Sequence, residues 1–411
     1  MDREVVVTGL GLMSGLGLDL ESSWQGLTAG ASVTDRFQSF DPQGLDCTFG
    51  VELPAGVEEL FKEKIKTRRR RQMTRTTMIG LVTSGMAIED SDLSMDSIDP
   101  QRVGVVLGTT GTGYSPEPAG EDRMRIIKNM SNSVASWVSL QWKLHGPSYV
   151  VGTACSSGVY GLAAAHSMVS SGLCDVVISG SMDSSLNSDD VGGFSNLLAL
   201  ADDGDDVRTA SRPFEQDRSG FVIGEGGGVL VVESRGHAEQ RGARIYCRMH
   251  LPGLYTEAYN ILSPEPEGRG MSRCMRQALG NSGLRPDDID YINAHGTSTY
   301  FNDLYETQAI KEVFGDHARA LPVSSTKSMT GHCLAGGGGM EAVISCKTLH
   351  EGVIPPTINL VNRDPELDLD YVSEGKRTAD LNHVMSNSFA FGGHNGVNIF
   401  SRLDRGDELN G

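Results

Sequence analysis

The sequence predicts an α/β fold made of two similar halves around one pseudo-symmetric core. Three observations lead there. Short apolar runs that end in Gly, Ser or Thr alternate with small-residue helical stretches, as in sheets covered on both faces. The same strand–turn–helix plan is written again after residue 242. The 51 glycines fall mostly in apolar runs rather than in linkers, which implies backbone packed closely against backbone.

Taken in order, "REVVVTGLGLMSGLG" reads as a buried strand entering a Gly-rich turn. "RVGVVLGTTGTGY", "YVVGTACSSG", "CDVVISGSMDS" and "GGGVLVVES" give four more strands, with helical patterns such as "TRTTMIGLVTSGMAIEDS" and "SGVYGLAAAHSMVSSG" between them. The second series is "ARIYCRMHL", "IDYINAHGTST", "ALPVSSTKSMTGH" and "HVMSNSFAFGGHNGVNIFSRL". "VGVVLGTTGTG" corresponds to "IDYINAHGTST", and "VVGTACSSG" to "VSSTKSMTGH". The expected units are therefore 1–242 and 243–411, each with a mostly parallel sheet. The C-terminal ends of such strands collect the reactive residues.

At 411 residues the chain has room for two domains or one large duplicated unit. Its formal net charge of −18 disfavours nucleic acid and anionic membrane surfaces as partners. No apolar stretch reaches the length of a membrane span, and "MDREVVVTGLG" begins a strand rather than a signal peptide. Seven cysteines, an odd number at spacings that fit neither a disulfide scaffold nor a zinc site, point to the cytoplasm.

Cys155 sits where the run "YVVGTA" turns into the helical "SSGVYGLAAAH". A helix starting there would aim free N–H groups and its positive dipole end at the sulfur, and the expectation is a thiol pKa lowered by about a unit or more. A buried structural cysteine is the alternative, and it suits Cys174 and Cys346. His295 in "NAHGTST" and His332 in "KSMTGHCLAGGGG" both lie at sheet ends among small and hydroxylated residues that leave room for a substrate. In "SFAFGGHNG", Phe391 precedes a double glycine, a tight turn that can present a backbone N–H to a developing oxyanion.

Together "GTACSSG", "NAHGTST", "KSMTGH", "NSFAFGGHNG" and "SRPFEQDRSGFVIGEGGGVLVVES" resemble the elongating β-ketoacyl-acyl-carrier-protein synthases, type II subgroup, from Val5 to Phe400. The resemblance implies the thiolase fold, two duplicated halves with five-stranded mixed sheets layered α-β-α-β-α. It implies an acyltransferase: decarboxylative Claisen condensation of malonyl-carrier with an acyl chain held on Cys155, as in fatty acid elongation. His295 and His332 would serve decarboxylation and condensation, and Lys327, paired with Glu341, would order the site. The backbone N–H groups of Cys155 and Phe391 would form the oxyanion hole, with Phe391 also the gate. Thr297 and Thr299 would hold the pantetheine arm. No metal or organic cofactor is implied. The implied partners are an acyl carrier protein bearing acyl or malonyl phosphopantetheine and a second copy in a homodimer. Thiolases use a second cysteine, initiating synthases carry Asn where this chain has His332, and chain-length factors lack the reactive cysteine present here.

"KIKTRRRRQMTR" stands out against the acidic background. Its bland reading is a solvated helix start. The resemblance matches Arg68 and Arg71 to carrier-protein contacts, and Arg125 and Lys128, with Arg123, to a second basic set. The chain departs from the family pattern at Ser181, Met182 and Asp183, at Ala390, at Tyr300 and in the acidic "ALADDGDDVR". Gly111 stands where relatives carry a bulky aliphatic lining the acyl pocket, and a roomier pocket is the expectation. Two other readings stand beside elongation. One is a pathway-specific ketosynthase of a type II polyketide or polyene system, with a chain-length factor as heterodimer partner. The other is a non-catalytic scaffold that only docks carrier proteins.

Overall fold

The computed structural model describes residues 3–95, 97–111, 123–204 and 206–403. Eleven strands form its main sheet. They are β1 (Val5–Met13), β2 (Val103–Gly108), β3 (Ser148–Val151), β4 (Val176–Ser184), β5 (Glu225–Ser234), β6 (Cys247–Met249), β7 (Gly253–Thr256), β8 (Tyr291–Asn293), β9 (Val323–Ser324), β10 (His383–Ala390) and β11 (His394–Ser401). Hydrogen bonding runs in the order β9-β8-β10-β11-β6-β1-β5-β4-β2-β3, with β7 added beside β11.

That order contains one motif twice. Numbered from its own first strand, each set of five follows 3-2-4-5-1. In the first set β2 pairs parallel with β3 and β4, while β4–β5 and β5–β1 are antiparallel. In the second, β8 pairs parallel with β9 and β10, while β10–β11 and β11–β6 are antiparallel. The duplication written in the sequence is thus matched in order and sense. The expectation of a mostly parallel sheet is corrected, because buried strands look alike in sequence whichever way their neighbours run. The two sets are not separate sheets either. The register Val6↔Arg248 and Val7↔Cys247 joins β1 to β6.

All residues of β1, β4 and β5 are buried, which accounts for their uninterrupted apolar and glycine character. Helix α1 (Arg75–Asp90) covers the outer face of the first set. Helices α2 (Ser157–Ser170) and α5 (Gly336–Glu351) lie between the sets: α2 touches β2 and β4 on one side and β11 on the other, and α5 touches β4 and β5 but also β10. Helices α3 (Arg269–Ser282) and α4 (Tyr300–Phe314) close the far side. The result is five layers, α-β-α-β-α. The two central helices can approach because Gly158 faces Gly339: a Cβ on Gly158 would sit 2.5 Å from the Gly339 nitrogen. One on Gly339 would sit 2.4 Å from the Ser181 nitrogen of β4. The glycines that open α5 are helix-weakening residues kept because backbone must lie directly on backbone. Among the described residues no helix is long and apolar enough to cross a membrane.

Candidate active site

Cys155 follows β3 through a turn held by its own hydroxyls. Ser157 Oγ accepts from the Thr153 N–H (2.9 Å) and donates to the Ala154 carbonyl (2.6 Å), and Ser156 Oγ donates to the Thr153 carbonyl (2.8 Å). The run "GTACSSG" therefore supplies the polar groups that satisfy a tight backbone. Ala154 takes φ +48°, a left-handed conformation uncommon for a residue with a Cβ. From the opposite strand, the Ser388 hydroxyl of β10 donates to the Cys155 carbonyl at 3.0 Å.

His295 stands just beyond β8. Its backbone N–H and that of Gly296 donate to the two oxygens of Glu306 on α4, at 2.8 Å each, and Asn387 Nδ2 donates to the same carboxylate at 3.0 Å. His332 is clamped by its main chain: its N–H donates to the Val222 carbonyl (2.7 Å) and its carbonyl accepts from Gly224 N–H (3.0 Å). The rings of His295 and His332 stand nearly perpendicular, 87° apart, with centroids 5.4 Å apart. Nε2 of His332 lies 3.1 Å from the Cys155 sulfur. Lys327 ion-pairs with Glu341, and both side chains are only 3% exposed. The predicted four, Cys155, His295, His332 and Lys327, thus share one environment.

Electrostatics correct one expectation. The Cys155 thiol is not held ionised: burial pushes its pKa up to about 12, against the opposing pull of Lys327 and of the Phe391 and Cys155 backbone N–H groups. The helix start was legible, but the depth of the sulfur under several elements was not. Both histidines are held well below the usual imidazole value, by burial first and then by the Lys327 charge, with His332 adding to the effect on His295. They are neutral in the resting site. Glu341 goes the other way, raised to about 7, because burial outweighs the ammonium beside it.

A cavity of about 450 Å³ is lined by Cys155, His295, His332, Thr297, Thr299 and Phe391 among others. The Thr297 and Thr299 hydroxyls hydrogen-bond each other at 2.9 Å. Phe391 opens a short turn with Gly392 at φ +82°, whose N–H donates to the Ile261 carbonyl at 2.8 Å. Gly111 is not part of this lining, and a Cβ there would meet nothing within 4 Å. Residues 112–114 of its motif lie outside the described residues.

The basic residues divide. Arg68 and Arg71 are exposed and Arg125 is half-buried, but Lys128 is only 7% exposed. Lys128 is therefore not the exposed docking charge that the resemblance implied; its short helix turns it inward. Arg75 holds Glu225 through two nitrogens (2.6 and 2.7 Å) and Glu58 through a third (2.7 Å), so it belongs to the scaffold. Glu306, Asn387 and Ser388 carry the frame of the site and had no local signature: Glu306 and Ser388 act on backbone outside their own elements, and Asn387 on the Glu306 carboxylate.

A neutral thiol, two neutral imidazoles and a buried ammonium at the strand ends of a duplicated five-layer fold define a condensing enzyme of the acyltransferase class. Residues 2–238 match the family model described as "Beta-ketoacyl synthase, N-terminal domain" and residues 248–361 the one described as "Beta-ketoacyl synthase, C-terminal domain". The chain belongs to the β-ketoacyl synthase family. It is 38% identical over 414 aligned residues to a Synechocystis protein named 3-oxoacyl-[acyl-carrier-protein] synthase 2, with 97% of this chain and 98% of the relative covered. A Coxiella burnetii protein of the same name is 37% identical, with 98% and 99% covered. Among solved structures, a Burkholderia phymatum β-ketoacyl synthase aligns at a TM-score of 0.88 with 31% identity, covering 98% of this chain and all of that one. A type II polyketide ketosynthase solved with its acyl-carrier protein and bound to the hexaketide aligns equally well at 27% identity, again covering 98% of this chain and 100% of that one.

Proposed function

We propose that this chain elongates acyl groups: it takes an acyl chain from a carrier protein onto Cys155 and condenses it with malonyl-carrier, releasing CO2 and a 3-oxoacyl-carrier two carbons longer. The observation that carries the reading is the 3.1 Å approach of His332 Nε2 to the Cys155 sulfur, with His295 beside it in the same cavity. In transfer, the sulfur attacks the incoming thioester. Its proton passes to His332 and from there to the departing pantetheine sulfur. The Cys155 and Phe391 N–H groups, already aimed at the sulfur, suit the tetrahedral oxyanion that forms beside it. In condensation the sulfur is acylated and no longer a donor, so His332 takes the tautomer with hydrogen on Nε2, and the two neutral imidazoles donate to the malonyl thioester oxygen as CO2 leaves. The resulting enolate carbon then attacks the Cys155 thioester, the bond to sulfur breaks, and the released thiolate takes a proton from solvent to restore the thiol. Thr297 and Thr299 line the route a pantetheine arm takes.

The same reading makes Arg68, Arg71 and Arg125 docking contacts for an acidic carrier protein. It places the boundary of the halves at 242/243 and the protein in the cytoplasm, in keeping with seven free cysteines. A homodimer is supported by β3, which ends the sheet among the described residues, with exposed Tyr149 on it and exposed Ile126, Ile127, Met130 and Leu140 elsewhere in the 126–149 stretch. A second reading, a polyketide or polyene ketosynthase with a chain-length factor, is favoured by the likeness to a structure titled the ishigamide ketosynthase/chain length factor, at a TM-score of 0.88 and 28% identity.

Intact-protein mass spectrometry after incubation with acyl carrier proteins of graded chain length tests the proposal. An acyl adduct on Cys155, absent from Cys155→Ala and followed by elongation when malonyl-carrier is added, is the expected result. Binding of carrier without any adduct would leave only the docking scaffold. Loss of fatty acid elongation on deleting the gene favours the first reading over the second.

A further inference from the structure

Asp183, next to last in β4, has no part in the chemistry above, yet it is 1% exposed beside the reactive groups. Among the described residues no Lys or Arg pairs with it. Instead its carboxylate gathers donors from three elements. It accepts from the Thr110 hydroxyl and N–H (3.3 Å for the latter), just past the end of β2. It accepts from the N–H of Ser184 at 3.0 Å, and the Ala335 N–H favours its charged form; the start of α5 packs on the same residue, since a Cβ on Gly336 would sit 2.9 Å from the Asp183 nitrogen. Ala335 is the N-cap residue of α5 and has no side-chain cap of its own. Between it and His332, Leu334 takes φ +47°, a sparsely populated conformation that persists only where neighbours enforce it.

We propose that Asp183 is a positioning residue for His332: by bonding the Thr110 turn and attracting the Ala335 N–H where the start of α5 packs on it, its carboxylate steadies the bent Cys333–Ala335 link and so holds His332 Nε2 against the Cys155 sulfur. Its charge is felt by Cys155 and Cys333, which also feel Lys327, and Cys333 feels Glu225 and Glu341 besides. Its negative charge alone opposes ionisation of Cys155, so charge and position pull in opposite directions and can be separated. The role deepens the proposed reaction, but its test does not need that reaction to occur.

The experiment is the rate of Cys155 alkylation by iodoacetamide in the full chain, expressed per titratable site so that unfolded protein drops out. Asp183→Asn keeps the shape but turns an amide toward donors. If Asp183 positions His332, alkylation slows about tenfold or more, since roughly 1 Å of misplacement costs about a hundredfold in well-aligned sites. Asp183→Glu, which keeps the carboxylate, recovers most of that loss. In a His332→Ala background, Asp183→Asn adds no further slowing. Alkylation at or above the unmodified rate would mean that Asp183 acts only through charge or not at all, and would overturn the proposal. So would equal slowing in the His332→Ala background. Should Asp183→Asn not fold, Thr110→Val removes one of the same hydrogen bonds. It is expected to slow alkylation two- to threefold, and no slowing would be fatal. If alkylation follows these expectations but no acyl adduct forms, the elongation reading fails while the positioning role stands.

Discussion

The Cys155 sulfur and the His332 Nε2 meet at 3.1 Å across 177 positions of sequence. The contact exists because the two residues close the ends of strands in opposite halves of a duplicated fold, where α2 and α5 bring those ends face to face. With the thiol pushed up to about 12 and the imidazole held well down, both partners are neutral at rest. The pair stores a proton between them rather than an ion pair.

That protonation state predicts a pH profile. Below its pKa, the thiolate fraction of a thiol rises tenfold for each pH unit. Burial is the largest influence on Cys155 and keeps that regime open up to about pH 12. Iodoacetamide alkylation of the resting protein should therefore climb from pH 7 to pH 10 without levelling, where an ordinary cysteine levels above about 8.5. Lys327→Met removes the largest influence favouring the thiolate and should lower the whole curve. A plateau near neutrality would show an ionised thiol instead.

The two histidines should separate by step. Among the described residues the histidine hydrogen-bonded to the sulfur is His332, so His295→Ala should still take an acyl chain on Cys155 while losing about 100- to 1000-fold in malonyl decarboxylation, the typical cost of one lost donor. His332→Ala removes the proton acceptor as well and should impair both steps. Carbon dioxide release, read beside the mass of the acylated protein, distinguishes the two. Equal damage to both steps by His295→Ala would end this division of labour.

How much was legible follows from where each signal lay. Cys155, His295, His332 and Phe391 announced themselves because a strand that ends in Gly, Ser and Thr around one reactive side chain is written in consecutive residues. Glu306 could not be read that way: its carboxylate serves the N–H groups of His295 and Gly296, a contact that only folding creates. Ser388 is the same case, 233 positions from the carbonyl it holds. Strand direction was invisible because burial on both faces erases the alternation that marks a half-exposed strand. The strand β7, four residues of mixed polarity, carried no pattern at all. Lys128 was matched to a docking position by resemblance, which carries the place of a residue but not its burial, and a single helical turn placed it inside.

The Lys327–Glu341 pair should show that it is held for chemistry rather than for stability. Both groups are buried, and removing one partner strands a charge, which typically costs about 3–5 kcal/mol. Glu341→Leu should lower the denaturation midpoint accordingly. Lys327→Met combined with Glu341→Leu replaces the pair by apolar volume and should recover most of that loss, yet condensation should remain abolished, because Lys327 is the charge that shapes Cys155, His295 and His332. A double variant no more stable than Glu341→Leu would contradict the argument, and so would one that still condenses.

Exposure, not charge count, should decide which basic residues receive the carrier protein. Arg68 and Arg71 project into solvent on a chain whose net charge is −18, so an acidic partner would find in them a local attraction in a repulsive field. Arg68→Glu with Arg71→Glu should raise KM for carrier substrates about tenfold while leaving kcat within roughly twofold, since steering acts on encounter. The gap should close as salt shortens the screening length from about 10 Å at 0.1 M toward about 3 Å at 1 M. Lys128→Ala should behave differently: 7% exposed, Lys128 can affect stability but not steering, so its KM should show no such salt dependence. If Lys128→Ala reproduces the salt-sensitive KM of the arginine variants, the docking face includes the helix that buries it, and that helix must turn outward on binding.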